Sequence, residues 1–316
     1  MSNFYGSYIG FGSGGVAAAY IYGGTQYGYT SGGRATNTDV NTIDRYSFTS
    51  TGNATDVGNL TSTITSGAGH HSKTYGYHSG GGPGGGFSAT LQKFSFSTDS
   101  EDSVAYGVLA IQRGGSAGNS SETYGYAAAG MTNPVAAPVK SIDKFSFAAD
   151  TDAAGIGDAT VERQFCGEAS SATHGYAHGG HRLAPTTHMD TIDKLAFASD
   201  TVGIDVGNMG RGGDTALAGC SSAENGYVVG GHTDGTYEIG KYSFSSDGDS
   251  TDIADLTNDT NRHCAGTSSL TYGYRAGGGQ QPDTNVVDNF PFASDTNASD
   301  VGDLTSARRY VCGQSY

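Results

Sequence analysis

The chain has 316 residues, a formal net charge of −15, 52 glycines, 20 tyrosines, six prolines and no tryptophan. That acidity argues against binding to nucleic acid or to an anionic membrane, both of which need clustered Lys and Arg, and none appear. No stretch approaches the length of a membrane span, and Met1 to Tyr8 has neither a basic nor an apolar signal region.

The first fifteen residues scatter Phe4, Tyr5, Tyr8, Ile9 and Phe11 among glycines, and are expected to form an N-terminal extension, either a packed extra strand or a tether. From residue 16 to 316 one repeat governs the chain. The phrase Tyr27-Gly28-Tyr29-Thr30-Ser31-Gly32-Gly33 returns six times, with its second aromatic at Tyr29, Tyr77, Tyr126, Tyr176, Tyr227 and Tyr274. A period near fifty residues marks a repeat architecture rather than two unrelated domains. The third copy departs from the pattern, with Ala129 where the others have the first glycine of the pair.

Each unit reads as four short strands. Strand a is small and half apolar, as in Arg262 to Ser269, and strand b is the anchor phrase, whose glycines permit positive φ and close backbone approach. A loop of varying length and content follows. Strand c is Ile43-Asp44-Arg45-Tyr46-Ser47-Phe48 and its echoes at Ile142, Ile192 and Val287, with Asp44, Tyr46 and Phe48 on one face by period two. A polar turn leads to strand d, Thr55 to Leu60 in the first copy. Four sequential strands without helical periodicity make an antiparallel meander, and such meanders bury both faces only by packing around an axis. The predicted fold is therefore all-β, a β-propeller of four-stranded blades, most simply six. Arg308 to Tyr316 forms a further strand a that closes the ring on the first blade; because residues 16–24 also resemble strand a, a seven-bladed ring stays open.

Cys166 and Cys264 lie ten residues before their anchors, Cys312 is read as the matching place in the last partial repeat, and Cys220 sits nearby. They are expected to be free buried thiols, not disulfides. Acidic residues between strands c and d (Asp247, Asp249, Asp252 and Asp255; Asp295, Asp300 and Asp303) suggest calcium, but their spacing drifts between copies and suits turn chemistry better. His174 and His178 share a strand face without a fixed third ligand, so no metal or other cofactor is expected. No Gly-x-Ser-x-Gly elbow sits between a strand and a helix, and no catalytic constellation is expected.

A strand ending Gly-Gly, a variable loop, Ile-Asp-Lys-Phe, then an outer strand followed by Arg resembles the kelch repeat over nearly the whole chain, without the tryptophan of kelch outer strands. The wording of Ile192-Asp193-Lys194 and of Phe292 to Thr305 is similar to kelch-like propellers of marine bacteriophages, notably those of cyanobacteria. The resemblance implies a virion-associated structural or host-recognition protein, placed in capsid or tail. Its partners would be other virion proteins and a host surface glycan or protein; the alternative is a cellular kelch-type adaptor for one protein partner. The b–c loops differ in every copy, and the expected binding residues there are Arg34, His181, Arg182, His232, Asp234, Tyr237, Gln280 and Gln281.

Overall fold

The computed structural model describes residues 23–98, 101–133, 137–183, 185–232, 237–258, 262–279 and 282–316. The N-terminal extension, most of the competing strand at 16–24, and Asp234, Gln280 and Gln281 lie outside the described residues. Six four-stranded antiparallel sheets form the blades of a propeller. In five blades the strands run a-b-c-d in chain order. The first blade takes its inner strand, Cys312–Ser315, from the C-terminus, paired antiparallel with Tyr27–Ser31. The expected closure is thus present, with six blades. The chain enters past Gly24, which bridges in parallel to Ser269 beside the inner strand of blade six.

The anchor tyrosine explains why neighbouring blades adhere. Its ring lies against the phenylalanine that ends strand c of the next blade: Tyr29 on Phe96 at 4.8 Å, Tyr77 on Phe147 at 4.6 Å and Tyr126 on Phe197 at 4.7 Å. Tyr176 on Phe244 at 4.8 Å, Tyr227 on Phe292 at 4.8 Å and Tyr274 on Phe48 at 4.7 Å complete the circuit. Such offset contacts add to the free energy of burying the rings. The Gly-Gly pair is the second joint. Both of its residues take positive φ (61° and 92° at Gly179 and Gly180), which a glycine adopts without strain. The bend aims the second N–H at the next blade, as in Gly180 to the Asp214 carbonyl at 2.7 Å and Gly130 to that of Arg163 at 2.8 Å.

Near the axis the inner strands crowd. Their second positions are Gly69, Gly118, Gly219, Gly266 and Gly313, with Glu168 as the exception. A Cβ on Gly219 would fall 1.7 Å from the Glu168 carbonyl oxygen, so a side chain there would force the blades apart.

Strand c carries the interior charge. Asp44, Asp143, Asp193 and Asp288 are buried. Arg308, Arg113 and Arg163 reach them from the link between strand d of one blade and strand a of the next, at 3.2, 2.8 and 2.9 Å. In blade six the guanidinium comes instead from strand b, Arg275 on Asp288. The carboxylates also hold the start of the link, through Thr305 on Asp44, Thr160 on Asp193 and Thr257 on Asp288. Blade two has neither charge: Ile64 occupies the link and Gln92 accepts from Thr61 at 2.7 Å.

One sequence expectation needs correction. The four cysteines are free and buried, but they do not share one position. Strand pairing sets Tyr274 opposite Thr267 and Tyr29 opposite Gln314, so Cys264 matches Val311, and Cys312 stands one residue later. Cys220 faces its own anchor, Tyr227, and its thiol lies between blades five and six, 3.3 Å from the Thr267 carbonyl. The acidic c–d turns, in turn, act between blades as well as locally. Asp249 accepts the N–H of Asn208 at 2.8 Å and Asp102 that of Asn59 at 2.9 Å, each capping the preceding blade's outer strand. Asp247 and Asp295 receive Lys194 and Lys241 of the preceding blade.

A buried charge that loses its partner is costly. Asp193→Ala is expected to destabilise the protein by about 3–5 kcal/mol in denaturant unfolding. The double change Arg163→Ile with Asp193→Gln, which copies blade two, is expected to recover most of that loss. A double variant no more stable than the single one would contradict the pairing argument.

Candidate functional site

The b–c loops and the d–a links emerge on one end of the ring and are bridged there, Gln164 to His181 and Gly114 to Met131 among them. Three loops form two-stranded hairpins: Arg34–Ala35 with Thr38–Asp39, Met131–Thr132 with Ala137–Pro138, and His181–Leu183 with Thr186–His188. Loops of neighbouring blades are tied together. Asp283 of blade six accepts the N–H of Thr36 at 3.2 Å and pairs with Arg309. Asp39 of blade one accepts the N–H of Gly84 of blade two at 2.6 Å. The loops of blades six, one and two are thus held to one another.

At its centre each link contributes one residue of positive φ just before strand a: Ser66, Gly115, Phe165, Ala216, His263 and Tyr310. Each donates its N–H to the carbonyl of the residue one blade back, from Gly115 to Ser66 at 2.6 Å round to Ser66 on Tyr310 at 3.4 Å. Six peptide groups close a hydrogen-bonded circle around the axis. Phe165, His263 and Tyr310 roof it, with ring centroids 5.0 Å apart for Phe165–His263 and 4.0 Å for His263–Tyr310. Burial pushes the His263 pKa down to about 3, so its imidazole is neutral. His181 stacks on Phe165, and its ring nitrogens lie 2.9 Å from Gln164 Nε2 and Thr215 Oγ1. Burial also lowers its pKa, with His188 and His232 adding to the effect. His188 bridges outward, 6.0 Å from His181 and 5.5 Å from His232 between ring centroids.

The sequence-predicted residues therefore separate into groups. His181 and His232 join one cluster near the axis. Arg182, 36% exposed, stands 4.0 Å from Glu162, and Tyr237 is 41% exposed at the rim. Arg34 pairs with Asp39 at 2.6 Å across its own hairpin, with part of its side chain still at the surface. His174 and His178 do not converge. His178 is buried and neutral, with Nε2 3.3 Å from the Ala218 carbonyl, while His174 turns to Thr173. Sequence reasoning missed the roof, although every roof position lies eleven residues before an anchor tyrosine or, for Tyr310, at the matching place in the closing strand.

Along the axis, against the roof residues, lies a half-open cavity of about 60 Å³ whose lining includes Cys166, Glu168, Cys264 and Cys312. Burial raises the thiol of Cys166 to about 11 and that of Cys264 to about 12, keeping both protonated. Glu168 is half-buried in this lining, and desolvation there raises its carboxyl to about 8.

The fold defines the class: the chain is a six-bladed β-propeller. Among solved structures it is similar to that of YjhT, with a TM-score of 0.65 and 11% identity over 79% of this chain and 86% of the other, a likeness of fold. No protein-family model and no curated protein sequence matches it.

The folded chain holds a proton on Glu168 that the unfolded chain releases near pH 4.5. Its contribution to stability is therefore full below pH 4.5 and is lost as pH rises toward 8. Buried His178 and half-buried His263, whose pKa values are lowered, act in the opposite sense, costing stability as pH falls below 6.5. The difference between Glu168→Gln and the parent isolates the carboxyl. The variant is expected to gain melting temperature relative to the parent as pH rises from 5 to 9, roughly 1.4 kcal/mol per pH unit at the steepest. Parallel pH profiles would show Glu168 to be ionised throughout.

Proposed function

We propose that the protein is a non-enzymatic binding propeller carried on a bacteriophage particle, in capsid or tail, which contacts a host surface glycan or protein through its b–c face. The observation that carries this reading is the contrast between the two ends of the ring. The a–b turns repeat one device, a serine whose Oγ accepts two backbone N–H groups, as Ser121 does from Thr123 and Tyr124 and Ser222 from Glu224 and Asn225. The b–c loops differ in length, secondary structure and side chains, yet those of blades six, one and two are held to one another. A rigid scaffold with one invariant and one diversified end suits recognition. The half-buried Arg182 and the exposed Leu183, His188 and Tyr237 at the diversified end are of the kinds that anchor interfaces.

Placement on a virion rests on the resemblance of the repeat wording to marine phage propellers. Many copies on a particle would let weak single contacts sum to useful avidity.

Binding of the purified, labelled protein to host cells tests the face. Changing Arg182, Leu183 and Tyr237 together to Ala, Ser and Ala is expected to weaken adhesion at least tenfold. Tyr124→Ser, at the other end of the ring, is expected to leave it unchanged. Adhesion that survives the triple change would refute the face assignment. Detection of the chain in purified virions by mass spectrometry tests the placement. Its absence there, with capture of one cytoplasmic protein, would replace this reading with the adaptor.

A further inference from the structure

Blade five breaks the charge pattern of the other blades. Its strand c has Gly240 where four blades have the buried aspartate, and its link has Gly210 where three have the threonine that aspartate holds. Ser250 takes over that small duty, accepting the Gly210 N–H at 3.1 Å. The guanidinium nevertheless remains. Arg211 enters from the link and donates to the carbonyls of Gly230 and Glu238. These acceptors correspond to Gly179 and Thr191, which bind Arg163 one blade earlier. Asp193 completes the earlier clamp at 2.9 Å, whereas in blade five the acidic partner is Asp214 of the link, at 3.5 Å.

Beside Gly240 lies a half-open pocket of about 330 Å³ lined by Gly210, Arg211, Val228, Glu238, Gly240, Ser250, Thr251 and Asp252. Arg211 lies at its base with 10% of its side chain exposed, while Asp252 and Thr251 stand at the open rim. Val228 gives the cavity an apolar wall. The volume admits a small amino acid.

The charges define what fits. A guanidinium set against backbone carbonyls, with the place of a carboxylate vacant, accepts a carboxylate. Asp214, Glu238 and Asp252 around the single Arg211 would repel a simple anion, and the two on the cavity wall favour an ammonium group. We propose that this cavity binds a small zwitterion of the α-amino-acid class. The ligand carboxylate takes the position of the absent strand c aspartate against Arg211, and its ammonium group lies against Glu238 and Asp252. Gly210 and Arg211 belong to a d–a link and Glu238 adjoins Tyr237, so the site borders the b–c face, but it does not depend on that face's role.

Thermal unfolding of the full chain with glycine, L-alanine, acetate or methylammonium tests the assignment. At about a hundred times its Kd, L-alanine is expected to raise the melting temperature by roughly 4 °C. Acetate and methylammonium at equal concentration are expected to give less than half that shift. Gly240→Asp supplies the carboxylate internally. The position does not require positive φ, and a new Cβ would meet Ser250 Oγ at 3.1 Å, a contact that a rotation of the serine relieves. This variant is expected to fold, as circular dichroism would show, and to lose the response to L-alanine. Glu238→Gln is expected to weaken the response at least tenfold in concentration. No shift with either amino acid up to 100-fold above millimolar concentrations, or an equal shift in folded Gly240→Asp, would overturn the proposal. A response to acetate alone would make this an anion site and overturn the zwitterion assignment.

Discussion

The contact on which the molecule depends is the anchor tyrosine of one blade against the strand c phenylalanine of the next. A four-stranded meander of this size has two faces to cover and too little sequence to cover them itself. Each blade's uncovered face is therefore met by its neighbour, and the ring closes only when Tyr274 finds Phe48 at 4.7 Å, across most of the chain length. The C-terminal strand completes that seam. Its last residue, Tyr316, stacks on Phe96 at 5.0 Å, and its carbonyl receives the N–H groups of Thr25, Gln26 and Tyr27. Opening the ring would thus unpair strands and unstack aromatics together, which makes closure cooperative rather than a matter of one weak joint.

Tight axial packing imposes a second constraint. Bringing six inner strands together leaves no room for side chains, hence glycine at five of the six crowded positions. It also buries the inner part of each link, so the polar groups there must be satisfied from within. The buried guanidiniums meet this need by donating to several carbonyls at once: Arg113 reaches those of Ala129 and Ser141 as well as the Asp143 carboxylate. The charge is a consequence of the geometry, and its pairing is conditional. Where Gln92 replaces the aspartate, Ile64 replaces the arginine.

Much of this was legible in the repeat. The period gave the blades, alternation gave the strands, and the surplus strand a at the C-terminus gave the closure. What stayed hidden were relations between copies. Asp44 looked like one more residue on an aromatic face, because nothing in a single repeat shows that Arg308, 264 positions away in the chain, comes to meet it. The acidic turns looked local for the same reason, since Asp102 acts on Asn59 across a blade boundary. The pairing of Arg34 with Asp39, five residues on, is likewise invisible until the loop is seen to fold as a hairpin. The cysteines were aligned by distance to the anchor, which fails in the split blade, where the anchor belongs to the other end of the chain.

Departures from the repeat deserve different weight according to where they fall. At the loops they cost little, so difference alone carries limited information about selection. At the crowded positions a departure is tolerated only if the surroundings adjust. Glu168 replaces a glycine where its neighbours have no room for a Cβ, and among the described residues no cation pairs with its carboxyl in the axial cavity. Gly240 removes an aspartate from a clamp whose guanidinium is still held in place. Both lie where drift would be expelled by sterics or by uncompensated charge, which makes them better markers of a selected property than any single loop residue. Recognition by the b–c face can change by exchanging loops, whereas the axial carboxyl and the vacant clamp are built into the scaffold that holds those loops.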